Sequence, residues 1–223
     1  MKKAPASMLC VAIQSLQQAP RIAASILCVA ILSLQPLTSG AQTVALKTDG
    51  LDAQYVEPIT KRAQKIVDGL NIGDADKALN VRNIIANRYF LLNQIHEQNK
   101  GNADKRDAEL YKHHFELAAD LSVYVDEATI EAVKDGMTYG VVPKTYQAHL
   151  DMIPSLKPEE KAQILAWLKE AREFAMDAEN SDKKHGWFGK YKGRINNWLS
   201  KRGYDLVKER EGWYKRIEEA KKK

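Results

Sequence analysis

Apolar side chains recur every three to four residues along most of the chain, and that period predicts helices nearly throughout. Val56, Ile59, Ala63, Ile66 and Leu70 mark a first helix, with Pro58 expected in its first turn and Gly69 and Gly73 ending it. Asp74 reads as the N-cap of a second helix, whose apolar face is Ala78, Val81, Ile84, Ile85, Tyr89, Leu92 and Ile95, stopping at Gly101. A third helix is expected from about 103 to 122, with Leu110, His114, Leu117 and Leu121 on one face. A short one follows from Asp126-Glu127 to Gly136. Gly136, Gly140, Pro143, Pro154 and Pro158 then break the chain into turns around one short helix, 144–152. Pro158 at a first helical position, followed by Glu159 and Glu160, opens a long helix to about Ala178. Ile164, Leu165, Leu168 and Phe174 form its core stripe, and "ENSDKKHG" (179–186) reads as a polar loop. Two more helices follow, split at Gly203 with Asp205 as N-cap, before a fraying tail, "EEAKKK". The one candidate strand is "SVYV" at 122–125. The fold class is all-α: a single compact multi-helix domain over 42–223, with no internal linker.

Residues 1–41 stand apart from this pattern. Lys2 and Lys3 open the segment, and Arg21 precedes an apolar run, "IAASILCVAILSL", at 22–34. The run is too short for a stable membrane span. Pro36 and then Ser39-Gly40-Ala41 follow it, as at a signal-peptidase site, so cleavage is expected after Ala41. Within the segment "LCVAIQSLQ" (9–17) recurs as "LCVAILSLQ" (27–35), a tandem duplication. Both cysteines, Cys10 and Cys28, lie here, each preceded by Leu rather than the small residue a lipidated cysteine requires. The mature chain therefore has no disulfide, thiol nucleophile or thiolate metal site. A cysteine-free exported chain suits a periplasm or cell exterior, and no transmembrane anchor is expected.

The net charge of +5 is partly the leader's. The remainder is uneven: residues 42–182 carry 17 basic and 24 acidic side chains, residues 183–223 carry 14 and 5. Such asymmetry fits either an anionic partner or a basic end packed on an acidic body. For an exported chain the partner is an acidic saccharide, another small anionic ligand or a membrane surface, not nucleic acid.

No phosphate loop, zinc-protease motif or nucleophile elbow occurs, and no cofactor is implied. Three constellations could carry chemistry. In "HGWFGKYKGRINNWLSKRGY" (185–204), Trp187, Tyr191, Arg194 and Trp198 fall on one helical stripe, with Phe188, Ile195 and Leu199 beside it. Gly189, Gly193 and Asn197 share a line. This is either a close helix–helix seam or a binding face, on which the aromatics stack against sugar rings, Asn196, Asn197 and Arg194 hydrogen-bond, and Lys190 and Lys192 add positive field. The second constellation is the 135–151 loop, with Asp135, Thr138, Tyr139, Lys144, Tyr146, His149 and Asp151 around two glycines. The third, Glu109, His113, Glu116 and Asp120 on one helix face, has divalent-metal chemistry but only part of a coordination shell, so no metal site is assigned. His114, between Leu110 and Leu117, reads as a hydrogen-bonded core histidine.

Two stretches, "VKDGMTYGVVPKTYQAHLDMIPSLKPEEKAQILAWLKEAREFAMDA" and "KHGWFGKYKGRINNWLSKRGYDLVKERE", resemble an exported family catalogued as domain of unknown function thirty-eight twenty-six. The resemblance implies a leader, one helical domain and an accessory role in bacterial polysaccharide utilisation, especially of plant pectins. It carries over no catalytic residue. The expected function is therefore binding of an acidic, pectin-like saccharide by a pocket in which 135–149 meets 185–198. One alternative is a lyase or hydrolase on uronate-containing oligosaccharides, with Tyr139, His149 or His185 as base and Lys144, Lys190 or Arg194 as neutraliser. Another is a structural helical interaction domain. The oligomeric state is left open.

The leader reading makes a direct prediction. Intact mass of the exported form should correspond to a chain starting at Gln42 with no thiol and no lipid. A retained leader or a lipid adduct would contradict it.

Overall fold

The computed structural model describes residues 43–222, and the expected leader and its cleavage site lie outside the described residues. The described chain is helical, with α1 (Ala53–Asp68), α2 (Ala75–Gln98), α3 (Ala103–His113), α4 (Glu116–Ser122), α5 (Glu127–Met137), α6 (Val141–Met152), α7 (Pro158–Met176), α8 (Ser181–Lys201) and α9 (Leu206–Lys221). No strand occurs among the described residues. Six of these helices open on an Asp or Asn whose side chain accepts from a backbone N–H two or three residues on: Asp52, Asp74, Asn102, Asp126, Asn180 and Asp205. Each satisfies a donor that the first helical turn leaves without a partner.

The apolar faces close into two clusters. Ile59, Ala63 and Val67 of α1 pack on Val81, Ile85 and Phe90 of α2, with Leu117 and Leu121 of α4 and Val133 of α5. Ile164, Leu168 and Ala171 of α7 pack on Phe188, Ile195 and Leu199 of α8, with Val142 of α6. Two polar devices fasten the ends. Residues 44–47 lie along α2, whose Asn80, Asn83 and Asn87 exchange hydrogen bonds of 2.6–2.9 Å with the backbone of Val44, Ala45 and Lys47. At the other end the buried Glu160 accepts from Tyr204 Oη at 2.6 Å, from Arg202 Nε at 2.9 Å and from the Lys157 N–H at 3.0 Å. The Tyr204 bond foremost, against the cost of burial, takes its carboxyl down to about 2.

Arg172 joins α7 to α5. It is 1 % exposed and donates to Glu131 Oε1 at 2.7 Å and Asp135 Oδ1 at 2.8 Å. Burial works to raise the Glu131 carboxyl, but the bonds from Arg172 and Lys169 outweigh it and hold it at about 2.

Several sequence expectations need correction. Pro58 sits inside α1 rather than in its first turn, because α1 begins at Ala53. The helix expected over 103–122 is broken at His114-Phe115, which lets Leu117 and Leu121 turn into the core while α3 buries nothing fully. The carbonyl of His113 at the break accepts from Arg88 Nη1 at 2.7 Å, since the last carbonyls of a helix lack partners within it. "SVYV" ends α4 and turns, with Tyr124 and Val125 N–H groups both on the Leu121 carbonyl. The loop expected at 179–186 is mostly helix, because Asn180 caps α8. Phe174 leaves the core and is 46 % exposed.

The glycine seam is also corrected. Gly189 and Gly193 lie on the exposed face of α8, and a Cβ at either meets nothing within 4 Å. The close approach is at Gly136 of α5, where a Cβ would lie 2.8 Å from Ile66 Cγ2 of α1. Gly193→Ala should therefore raise stability by about 0.5–1 kcal/mol, the helix-interior cost of glycine. Gly136→Ala should lower it by about 1–3 kcal/mol through overpacking. Thermal unfolding of the two variants checks this; shifts of the same sign would refute it.

Candidate functional site

α7 leaves the second cluster with one polar face uncovered. Glu170, Glu173, Phe174 and Asp177 follow one another at i, i+3, i+4 and i+7, so they share that face. The broken end of α3 brings Tyr111, His114 and Phe115 opposite, α2 contributes His96, and the first turns of α8 add Lys183 and Trp187. Together they line a groove of about 640 Å³, within the usual size of a ligand site.

A fixed polar array forms the floor. His114 Nδ1 lies 2.6 Å from Asp177 Oδ2, and the buried Arg88 donates to Asp177 Oδ1. His96 Nε2 lies 2.8 Å from the Asp177 carbonyl. The other ring nitrogen of His114, Nε2, stands 3.6 Å from Glu173 Oε2, too far for a hydrogen bond. Glu173 in turn accepts from Lys134 Nζ at 3.0 Å. The bond from Nδ1–H to a carboxylate sets the tautomer of His114 and leaves Nε2 as the atom available to a ligand. The walls are aromatic. Phe115 meets the His114 ring edge-on at 4.8 Å, Tyr111 meets Phe115 at 6.4 Å, and Phe174 stacks on Trp187 at 4.6 Å.

Most of the loop residues expected at the site do structural work. Asp135 accepts from Arg172, Thr138 is fully buried and donates to the Lys134 carbonyl at 2.8 Å, and Lys144 donates to the Tyr139 carbonyl at 3.0 Å. His149 is buried with Nδ1 2.7 Å from the Thr145 carbonyl, and Tyr146 packs on the second cluster. Tyr139 is different. It holds φ +63°, unusual for a side-chain-bearing residue, and its ring stacks on His185 at 5.3 Å. That is where the structure brings 135–149 and 185–198 together. Trp187 lines the groove, whereas no residue of 135–149 does.

On α8, Lys190 Nζ lies 4.2 Å above the Trp187 ring, so that ring is flanked by Lys190 and Phe174. Arg194 lies over Trp167 and Tyr191 at 4.5 and 5.8 Å and reaches Glu170 at 3.6 Å. Tyr191 is buried, which with its bond to Glu170 pushes its hydroxyl up to about 12. Asn197 is exposed beyond the glycine line. His113 bonds Glu116 at 2.8 Å across the helix break, and among the described residues no group of three or more His, Cys, Asp or Glu is arranged to hold a metal.

The sequence pattern matches the family described as "Protein of unknown function (DUF3826)" over residues 56–106 and 98–219. The chain belongs to that family. No curated protein matches this DUF3826 chain. Among its described residues no helix is long and apolar enough to cross a membrane.

Sequence reasoning identified His114 as a hydrogen-bonded core histidine; its bond to Asp177 agrees, but the side chain is only partly buried and lines the groove instead of the core. His96, Tyr111, Phe115, Glu170, Glu173, Asp177 and Lys183 were missed as site residues. The i, i+3, i+4, i+7 spacing on α7 was the available signal, hidden because Phe174 also fits a core stripe.

Behind the floor lies Lys184, 6 % exposed, which donates to the Met176 carbonyl at 3.2 Å. Burial foremost, opposed by Asp177 and helped by Arg62 and Arg88, lowers its ammonium from 10.5 to about 8. Between these values the folded chain binds fewer protons than the unfolded one, so Lys184 makes stability rise with pH across that window. Lys184→Met should remove this rise. Urea unfolding of both proteins at successive pH values through the window measures it, and equal slopes would contradict the burial of a charged amine.

Proposed function

We propose that this DUF3826 protein binds a saccharide in the α3/α7/α8 groove, as an exported accessory protein of polysaccharide utilisation. The observation that carries the reading is the groove's aromatic wall: Tyr111, Phe115 and Phe174 are 74 %, 67 % and 46 % exposed. Apolar surface gathered at one polar-floored groove marks an interaction site. Aromatic faces suit the apolar C–H faces of a pyranose, while His96, His114 and the carboxylates suit its hydroxyls.

The lining charge bears on which saccharide. Asp107, Glu170, Glu173, Asp177 and Glu179 line the groove together with Arg106 and Lys183, and like charge disfavours an anionic ligand. The reading therefore moves from an acidic, pectin-like ligand toward a neutral one. Arg194, held by Trp167 and Glu170, is not placed to grip a uronate here.

Calorimetric titration with neutral and with uronate-containing oligosaccharides tests this, with tighter binding of the neutral class expected. Phe115→Ala should weaken binding by about 1–1.5 kcal/mol, the value of the apolar area lost, or roughly tenfold. Absence of heat with both ligand classes would sink the reading.

A further inference from the structure

We propose that the outward face of α8 is a peripheral membrane-binding surface, which meets anionic phospholipid headgroups through a row of exposed cations. The inference is independent of the saccharide reading of the groove. It rests on where the charges stand on one helix and not on the net charge of the C-terminal segment.

The Lys and Arg side chains of α8 stand against a single acidic residue on that helix, Asp182. Lys183, Lys190, Arg194 and Lys201 fall at i, i+7, i+11 and i+18, so they form one straight row along the helix, about 27 Å long. All four are exposed, and so is Lys192 on the far side of the glycine line. Arg194 reaches Glu170 at 3.6 Å. Among the described residues, Lys183, Lys190, Lys192 and Lys201 form no salt bridge. Two cations of the row are held by rings, Lys190 over Trp187 at 4.2 Å and Arg194 over Trp167 at 4.5 Å, so they lose less rotamer freedom on binding. The strip beside the row is level. A Cβ at Gly186, Gly189 or Gly193 meets nothing within 4 Å, and no side chain at these positions stands between the cations and a flat partner.

Charge complementarity selects an anionic partner, and the shape of the face selects a plane. A cluster of Lys and Arg on an amphipathic helix is drawn to anionic lipid. The apolar stripe of α8, Phe188, Ile195 and Leu199, is buried in the second cluster with α7, so α8 has no apolar face to insert. Contact is therefore electrostatic, at headgroup depth and sensitive to salt. An extended nucleic acid or acidic saccharide chain gains by stacking on open aromatic faces. The rings beside the row are already covered, Trp187 by Phe174 and Lys190, and Trp198 by Trp167 and Arg202. Cations bordering a level strip need only a surface of negative charge.

The test is co-sedimentation of the purified protein with two kinds of vesicle, at low and at high salt. One is phosphatidylcholine alone; the other is phosphatidylcholine and phosphatidylglycerol in equal parts. Sedimentation with the mixed vesicles only, lost at high salt, is expected. Lys190→Gln, Lys192→Gln and Lys201→Gln should each weaken partitioning by about fivefold, and together by about 100-fold. These three side chains are exposed and lie outside the groove lining, so the fold and any saccharide binding should persist. A control triple variant, Lys65→Gln, Lys77→Gln and Lys105→Gln, removes the same charge from exposed positions on α1, α2 and α3 and should leave partitioning nearly unchanged. Equal losses in the two triple variants would show an effect of net charge alone and overturn the inference. Equal sedimentation with both kinds of vesicle, or none with either, would also overturn it. Binding of soluble dextran sulfate without binding of the mixed vesicles would assign this face to a polyanion chain and overturn the lipid surface.

Discussion

Asp177 is the residue on which the arrangement of this molecule turns. It stands just past the end of α7 and takes hydrogen bonds on three oxygens: Arg88 on Oδ1, His114 on Oδ2 and His96 on its carbonyl. Those partners come from α2 and from the α3–α4 break, so one residue registers three helical segments. Arg88 completes the junction by also donating to the His113 carbonyl. A guanidinium 4 % exposed has no water to fall back on, and removing a partner from a buried charge costs about 3–5 kcal/mol. The groove floor is thus held by the same bonds that hold the helices together.

The α5–α7 contact uses the same physics. Arg172 is buried between Glu131 and Asp135, and Lys134 and Lys169 surround the carboxylates. Charge asymmetry along the chain therefore has an internal role beside any external one. Several of the acidic side chains before residue 183 pair with buried arginines of the same segment. The basic excess after it is spread over α8 and α9, with Arg202 on Glu160 as one tie back to α7. A net positive tail is a poor guide to where an anionic ligand would sit, and among the Asp, Glu, Lys and Arg side chains that line the groove the carboxylates outnumber the cations.

α8 shows how one helix serves two sides. Phe188, Ile195 and Leu199 are fully buried against α7, while Trp187 stands at the groove and Gly189 and Gly193 face open space. Glycine on an exposed helix face weakens the helix, so α8 depends on its packed stripe and on the Asn180 cap more than on propensity. Tyr139, held at φ +63° beside His185, is a second place where the chain accepts an unfavourable conformation.

The helical class and the core were legible in the sequence alone. Period 3.6 in Ile59 and Ala63, or in Ile164 and Leu168, follows from burying one face of a helix, and caps such as Asp74 and Asp205 are read from local chemistry. Family membership was legible for the same reason, since it is carried by contiguous motifs. The site was not. His114 and Asp177 are 63 residues apart, and Arg88 and Asp177 are 89 apart, so no spacing rule connects them. The α3–α4 break, the exposure of Phe174 and the open glycine line were likewise decided by tertiary structure. Periodicity says that a side chain lies on a face, but only packing settles which faces find partners: Leu117 and Leu121 could reach the core only if the helix before them ended at His113.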